Sequence, residues 1–245
     1  MMARDGFVVF DHDPRTMRWA EAARKTAEGL AADPKVQSAN LRHGRTWFVG
    51  VDVLPNDTWG GVAGVPLAGP WQPHVPDLPL HAAQVSIVYP GYPVRDPDQS
   101  DANHRFRQTR MAAHVDGLLP EGPARRRFPR EFHAYILGLP LNDVSASPTV
   151  IWPGSHRIMQ AALAGAIGDN DPGQVDVTEA YHAARRTVFE RCAPVPIRAR
   201  PGQSFLIHRF ALHGTQPWDG ADTDGRMIAF FRPEFAKAGL WLSAP

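Results

Sequence analysis

The chain has almost no cysteine. Cys192 is the single one among 245 residues, so no disulfide can form within the chain and a packed core must hold the fold together. It also lacks any uninterrupted apolar run near the roughly twenty residues that cross a bilayer, so no membrane partner is expected. An excess of one charge sign is missing too. With 26 Lys and Arg against 25 Asp and Glu, the chain has no bulk attraction for nucleic acid or an anionic surface. The amino terminus shows none of the charged, apolar and small-residue order of a secretory signal, which makes the cytoplasm the expected location. Internal repeats and low-complexity tails are absent as well, so neither a solenoid nor a disordered arm is expected.

Proline and glycine are plentiful instead, and they concentrate between Pro55 and Pro79, with Pro66, Pro70, Pro73, Pro76, Gly60, Gly61, Gly64 and Gly69 between those ends. A loop this long is unusual inside a compact domain and is often functional. It is expected to wrap over an apolar surface, where Trp59 and Trp71 could anchor it, with a lid over a bound small molecule as the alternative reading, the two being compatible. On either side of it, short apolar runs bounded by turn residues predict strands over 7–10, 46–54, 84–89, 132–141, 148–152, 204–212 and 226–231. Helical spacing of Trp19, Ala23, Ala27 and Leu30 predicts a helix over 15–32, and Tyr181, Ala184 and Val188 predict another over 178–191, capped by Thr178. The result is a mainly β chain with flanking helices. It reads as one domain over 1–245, with a helix, strands and the loop in 1–83 and a core in 84–233, and it fits a double-stranded β-helix of the jelly-roll kind.

The residues that carry chemistry begin with His114-Val115-Asp116. On a strand, alternate residues point to the same side, so His114 and Asp116 would share one face. A histidine from elsewhere, such as His213, completes a face of two imidazoles and one carboxylate and leaves the opposite positions of an octahedral metal open. That donor set favours non-haem Fe(II) and oxygen chemistry. It can also hold zinc with an open position for water, which leaves a zinc hydrolase as an alternative, and a non-catalytic metal- or ligand-binding module is a third reading. His208 lies five residues before His213 on the same predicted strand, so a regular strand would turn it away from the metal and only a bulge could reverse that.

Other polar groups have simpler readings. His12 and Asp13 precede a proline and serve a turn, and His156 follows the Pro153-Gly154 turn as a structural residue. Asp219, Asp222 and Asp224 lack the spacing of a calcium loop and are expected in a hairpin connection. Arg105, Arg107 and Arg110 precede the His-x-Asp pair, and Arg125, Arg126, Arg127 and Arg130 follow it. Solvated faces account for most such runs, but some of these arginines could receive an anionic group of a substrate.

Two further runs stand in order after the His-x-Asp pair: Thr149-Val150-Ile151-Trp152-Pro153-Gly154-Ser155-His156, and Arg200-Pro201-Gly202-Gln203 leading into Phe205 through Thr215. Together with Arg226 these motifs resemble the phytanoyl-CoA dioxygenase family of Fe(II)- and 2-oxoglutarate-dependent oxygenases over residues 84–233. The resemblance implies a cupin-like jelly roll, iron held by His114, Asp116 and His213, and 2-oxoglutarate held at its far carboxylate by Arg226 with help from Thr215. It further implies a dioxygenase that hydroxylates a small organic molecule with molecular oxygen, releasing succinate and carbon dioxide. The chain departs from the family pattern at Gln203, where an aspartate is common, and at Ser145-Ala146-Ser147, where Glu-Asn-Gly is common. Neither position is a metal ligand. Physical chemistry supports the role given to Arg226: a planar, permanently charged guanidinium grips a carboxylate through two parallel hydrogen bonds, and a charge beside a buried strand needs a partner.

Overall fold

Alternation of apolar and polar side chains along short strands produces sheets with two distinct faces, and here both faces of the larger sheet are covered. The computed structural model describes residues 2–244. In chain order the elements are α1 (Met2–Asp5), β1 (Phe7–Phe10), α2 (Pro14–Ala32), α3 (Pro34–Asn40), β2 (Leu41–Arg42), β3 (Trp47–Leu54), β4 (Ala83–Val88), α4 (Asp101–Arg110), β5 (Leu118–Glu121), β6 (Arg126–Pro129), β7 (Tyr135–Pro140), β8 (Thr149–Ile151), α5 (Ser155–Ile167), α6 (Thr178–Arg191), β9 (Val195–Ile197), β10 (Ser204–His208), β11 (His213–Thr215), β12 (Arg226–Phe231) and α7 (Ala238–Ser243). A seven-stranded sheet runs β1-β10-β7-β12-β4-β3-β2, a three-stranded sheet runs β11-β8-β9, and β5 and β6 form a separate pair. The pairings are antiparallel throughout. No helix among the described residues is long and apolar enough to cross a membrane.

The two larger sheets pack face to face. Ile136, Phe205, Ile207, Ile228 and Phe230 of the large sheet meet Ile151 and Ile197 of the small one in a single apolar cluster. On the outer side of the large sheet, Val85, Ile87, Leu137, Leu139, Ala229 and Phe231 pack against Trp19, Ala20, Ala23 and Ala27 of α2. The outer side of the small sheet packs Val150 against Met159 and Leu163 of α5 and Tyr181 and Val188 of α6. Fully burying side chains of this size stabilises by about 1.5–3 kcal/mol each, so these three layers dominate the stability.

Helix α2 starts where proline fixes the first turn and Asp13 accepts a hydrogen bond from the Arg15 backbone N–H at 2.7 Å. Asp13 thus serves a helix start. Helix α6 covers the expected residues, but Thr178 is its first residue, with Val177 at the cap position. Asp176 accepts from the Thr178 backbone N–H, while the Thr178 hydroxyl oxygen accepts from the Arg127 N–H and ties α6 to β6.

The structure corrects several sequence readings. The predicted strand 204–212 ends at His208, turns, and resumes as β11 in the other sheet, so His208 and His213 do not share a strand. The turn is held by Arg209, whose buried side chain donates to the Trp241 carbonyl oxygen at 2.7 Å. Likewise, the segment with Asp219, Asp222 and Asp224 joins β11 to β12 across two sheets and is no hairpin. Helices α4 and α5 were not predicted, and His156 lies inside α5. The Pro55–Pro79 segment packs on the outer side of the large sheet: Trp71 and Leu67 join the cluster around Trp19, and the Trp19 indole donates to the Gly60 carbonyl oxygen at 2.7 Å. Trp59 is 58% exposed and anchors nothing.

Candidate metal centre

His114 and His213 face each other across an antiparallel bridge in which each backbone N–H donates to the other's carbonyl oxygen, at 2.9 and 3.0 Å. His213 belongs to β11, but His114 sits on this isolated bridge and Asp116 in the turn after it, so the expected strand for the His-x-Asp pair does not form. The alternation survives without it. Val115 is buried in the cluster beneath α5 and α6, while His114 and Asp116 turn towards the space between the sheets.

Both imidazoles are fixed in the same way. His114 Nδ1 lies 2.9 Å from the Ala112 carbonyl oxygen and His213 Nδ1 lies 3.0 Å from that of Ala211. A carbonyl can only accept, so each Nδ1 donates to it and leaves Nε2 as the ring atom turned towards Asp116 and available to a metal. The Asp116 Oδ1 atom lies 3.0 Å from His114 Nε2 and 3.6 Å from His213 Nε2. One potential ligand atom from each residue falls within 4.8 Å of the others, a spacing that suits a single metal ion. The three predicted ligands therefore converge.

The other oxygen of Asp116 is also occupied. Arg232 Nε donates to Oδ2 at 2.6 Å, and Arg232 Nη1 donates to the Gln84 side-chain oxygen at 2.6 Å. Burial opposes ionisation of Asp116, but Arg232 and His213 outweigh it and hold the carboxyl well below the usual carboxylate range. Sequence reasoning did not foresee that Arg232 and Gln84 hold Asp116 in place. Their signal was the period of two: residues 226, 228, 230 and 232 fall on one side of an extended chain.

These groups line a cavity of about 550 Å³ between the sheets, whose walls include Trp47, Ser86, Ile136, Phe230, Glu131 and His133. None of Arg105, Arg107, Arg110, Arg125, Arg126, Arg127 and Arg130 lines it. Arg126 pairs with Asp176 and Glu179, Arg130 pairs with Glu121, and Arg107 donates to the Tyr92 hydroxyl. Nor does any residue of 55–79 line it, so this loop wraps another face, the alternative lid reading finds no support, and the anionic-substrate reading loses its basis.

Arg226 opens β12 on its inner face, opposite Val88 of β4. It is 4% exposed, and its Nε and Nη1 atoms have no hydrogen-bond partner. Burial pushes its pKa down to about 10, with the nearby Tyr92 acting the other way, so it remains a cation at neutral pH. Arg226 lines a second cavity of about 210 Å³, which shares Thr149 with the larger one. Thr215 pairs with Thr149 across β11 and β8 and lines the larger cavity. A buried guanidinium with unpartnered nitrogens is costly unless something anionic meets it, and the smaller cavity beside it gives a small carboxylate a place to do so.

His208 lies apart from the metal centre. Its ring stands 4.9 Å from that of His156, beside another cavity, and burial, aided by Arg209 and His156, pushes its pKa down to about 3. His156 is buried in α5 near the Ala3 carbonyl oxygen, in keeping with a structural role.

No protein-family model matches the chain, and no curated protein matches it. Solved structures do. EvdMO1 superposes with a TM-score of 0.51 at 14% identity, over 94% of this chain and 48% of that one. EctD from S. alaskensis, crystallised with 2-oxoglutarate and 5-hydroxyectoine, gives a TM-score of 0.47 at 17% identity, over 94% of this chain and 72% of that one. SnoK, a non-heme alpha-ketoglutarate-dependent carbocyclase from nogalamycin biosynthesis, gives 0.49 at 12% identity, over 95% and 81%. At these identities the similarity concerns the fold.

Proposed function

We propose that this chain is an Fe(II)- and 2-oxoglutarate-dependent dioxygenase that hydroxylates a small organic molecule, built on a cupin-like jelly roll as in the phytanoyl-CoA dioxygenase family. One observation carries the reading: a two-histidine, one-carboxylate cluster and a buried arginine with unpartnered nitrogens lie on adjoining cavities. His114, Asp116 and His213 would hold the iron through nitrogen and oxygen donors suited to it. Bound iron and 2-oxoglutarate supply oxygen activation coupled to decarboxylation of the cosubstrate to succinate.

The protein's own contribution is preparation. The Ala112 and Ala211 carbonyl oxygens hold both Nδ1 protons, so neither imidazole needs to reorient to bind metal. Arg226 grips the far carboxylate of the cosubstrate with the Nε and Nη1 donors that are otherwise unpaired, and the Thr215 hydroxyl donates alongside. Ile136, Ile207 and Phe230 provide an apolar wall that limits water around the reacting atoms. A zinc hydrolase or a non-catalytic module would leave Arg226 buried without a partner.

Oxygen uptake separates these readings. With Fe(II) and 2-oxoglutarate, the protein should consume oxygen and release succinate in equal amounts, with stimulation by a true substrate. Arg226→Met should suppress both. Succinate formation that persists with zinc in place of iron, or that is untouched in Arg226→Met, would defeat the assignment.

A further inference from the structure

We propose that Arg232 is a positioning residue that reserves one oxygen of Asp116 for the metal by holding the other. This inference rests on the iron-site reading above. The two carboxylate oxygens have divided partners: Oδ1 faces both imidazole Nε2 atoms, and Oδ2 takes the Arg232 Nε–H at 2.6 Å. Arg232 cannot easily turn away. It lies one residue beyond β12, its Nη1 is held by Gln84 at 2.6 Å, and its guanidinium lies 5.3 Å from the centre of the Phe230 ring. Phe230 and Gln84 are themselves paired across β12 and β4, so one register fixes both supports. The backbone carbonyl oxygen of Arg232 also lies 3.1 Å from His81 Nε2.

The geometry has a chemical consequence. A carboxylate free at both oxygens can bind a metal through both and occupy two positions. A carboxylate clamped at Oδ2 would offer a metal Oδ1 alone, leaving more of the metal's positions open to the cosubstrate. Lysine could not replace the clamp, because one ammonium is a point charge without the planar fork that reaches Asp116 and Gln84 together. The same commitment makes Arg232 a poor anchor for the cosubstrate. Its Nε and Nη1 are occupied, whereas those of Arg226 are free of partners.

The test uses the full chain loaded anaerobically with Fe(II), comparing wild type with Arg232→Met and Gln84→Leu. Crystal structures of the metal-bound proteins should show Asp116 binding through one oxygen in wild type and through both in Arg232→Met. Titration with 2-oxoglutarate should show affinity falling about tenfold in Arg232→Met while metal is retained, with an intermediate loss in Gln84→Leu. Methylguanidinium added to Arg232→Ala should restore most of the affinity, which a merely structural role would not allow. Single-oxygen binding in Arg232→Met, or two-oxygen binding in wild type, overturns the inference while leaving the iron site standing. If wild type binds no metal at these three residues, the reading beneath it falls as well.

Discussion

Replacing Arg226 by methionine should have opposite effects on the empty and the loaded protein. In the ligand-free state, a 4% exposed guanidinium with two unpartnered nitrogens pays for its desolvation without compensation. An apolar side chain of similar length removes that cost; even a paired buried charge is often replaced by apolar side chains with a neutral or stabilising effect of about 1–4 kcal/mol, and an unpartnered one has no pairing energy to lose. For a chain of this size, each kcal/mol moves the melting temperature by about 2–4 °C. Arg226→Met should therefore melt several degrees above wild type when both are empty. Wild type should gain about 2.7 kcal/mol from 2-oxoglutarate at a hundred times its Kd, whereas the variant should gain almost nothing. Calorimetry of both iron-loaded proteins under anaerobic conditions, with and without 2-oxoglutarate, reads both effects. A variant that melts lower than wild type when empty, yet still gains from 2-oxoglutarate, would show that Arg226 is satisfied by the protein and binds no cosubstrate.

Three other outcomes are expected from the same structure. Asp116→Ala or His213→Ala should abolish stoichiometric Fe(II) binding, measured by metal analysis after desalting, while the circular dichroism spectrum keeps its β signature. Gly214→Ala should weaken Fe(II) binding and lower the melting temperature, because a Cβ there would collide with the Met111 carbonyl oxygen that also accepts from the Thr215 N–H. Acid should destabilise the fold through two half-buried histidines. Burial, with Arg107 beside His43 and Arg209 beside His208, depresses their pKa values to about 4 and about 3. The unfolded chain gains these protons near pH 6.5 while the fold refuses them, so stability is full above that pH and falls as pH drops towards 4 and then 3, by about 1.4 kcal/mol per pH unit per group. Urea unfolding of His208→Gln across this range should show a shallower acid limb.

Much of the metal centre was legible in the sequence because its chemistry sits in residue types. Two imidazoles and a carboxylate were named, and His114, Asp116 and His213 meet in space. Their local structure was less legible: the spacing of two implied a strand, whereas a bridge residue and a turn achieve the same presentation. The break after His208 was hidden because Phe210, Ala211 and Leu212 continue the apolar run, and burial there depends on a change of sheet that composition does not record. Helix α4 escaped notice because its arginines read as a charge cluster; its described residues include no buried side chain. Helix α5 escaped because Pro153-Gly154 announced a turn without revealing the helix beyond it, and Gly154 in a left-handed conformation leads straight into that helix. The clamp by Arg232 joins residues far apart in sequence, and only the pairing of β12 with β4 makes it visible.

The backbone bridge between His114 and His213 separates two kinds of distance. Along the chain, the ligands are divided by most of the second half of the molecule, including α5 and α6. Through space, their spacing is set by the dimensions of two peptide units exchanging hydrogen bonds, which hardly vary from one protein to another. The loops and helices between the intervening core strands can therefore lengthen, shorten or be exchanged without retuning the gap between the imidazoles. The intervening segment is free to specialise in which molecule it admits, while the part that addresses the metal is inherited from the peptide bond itself.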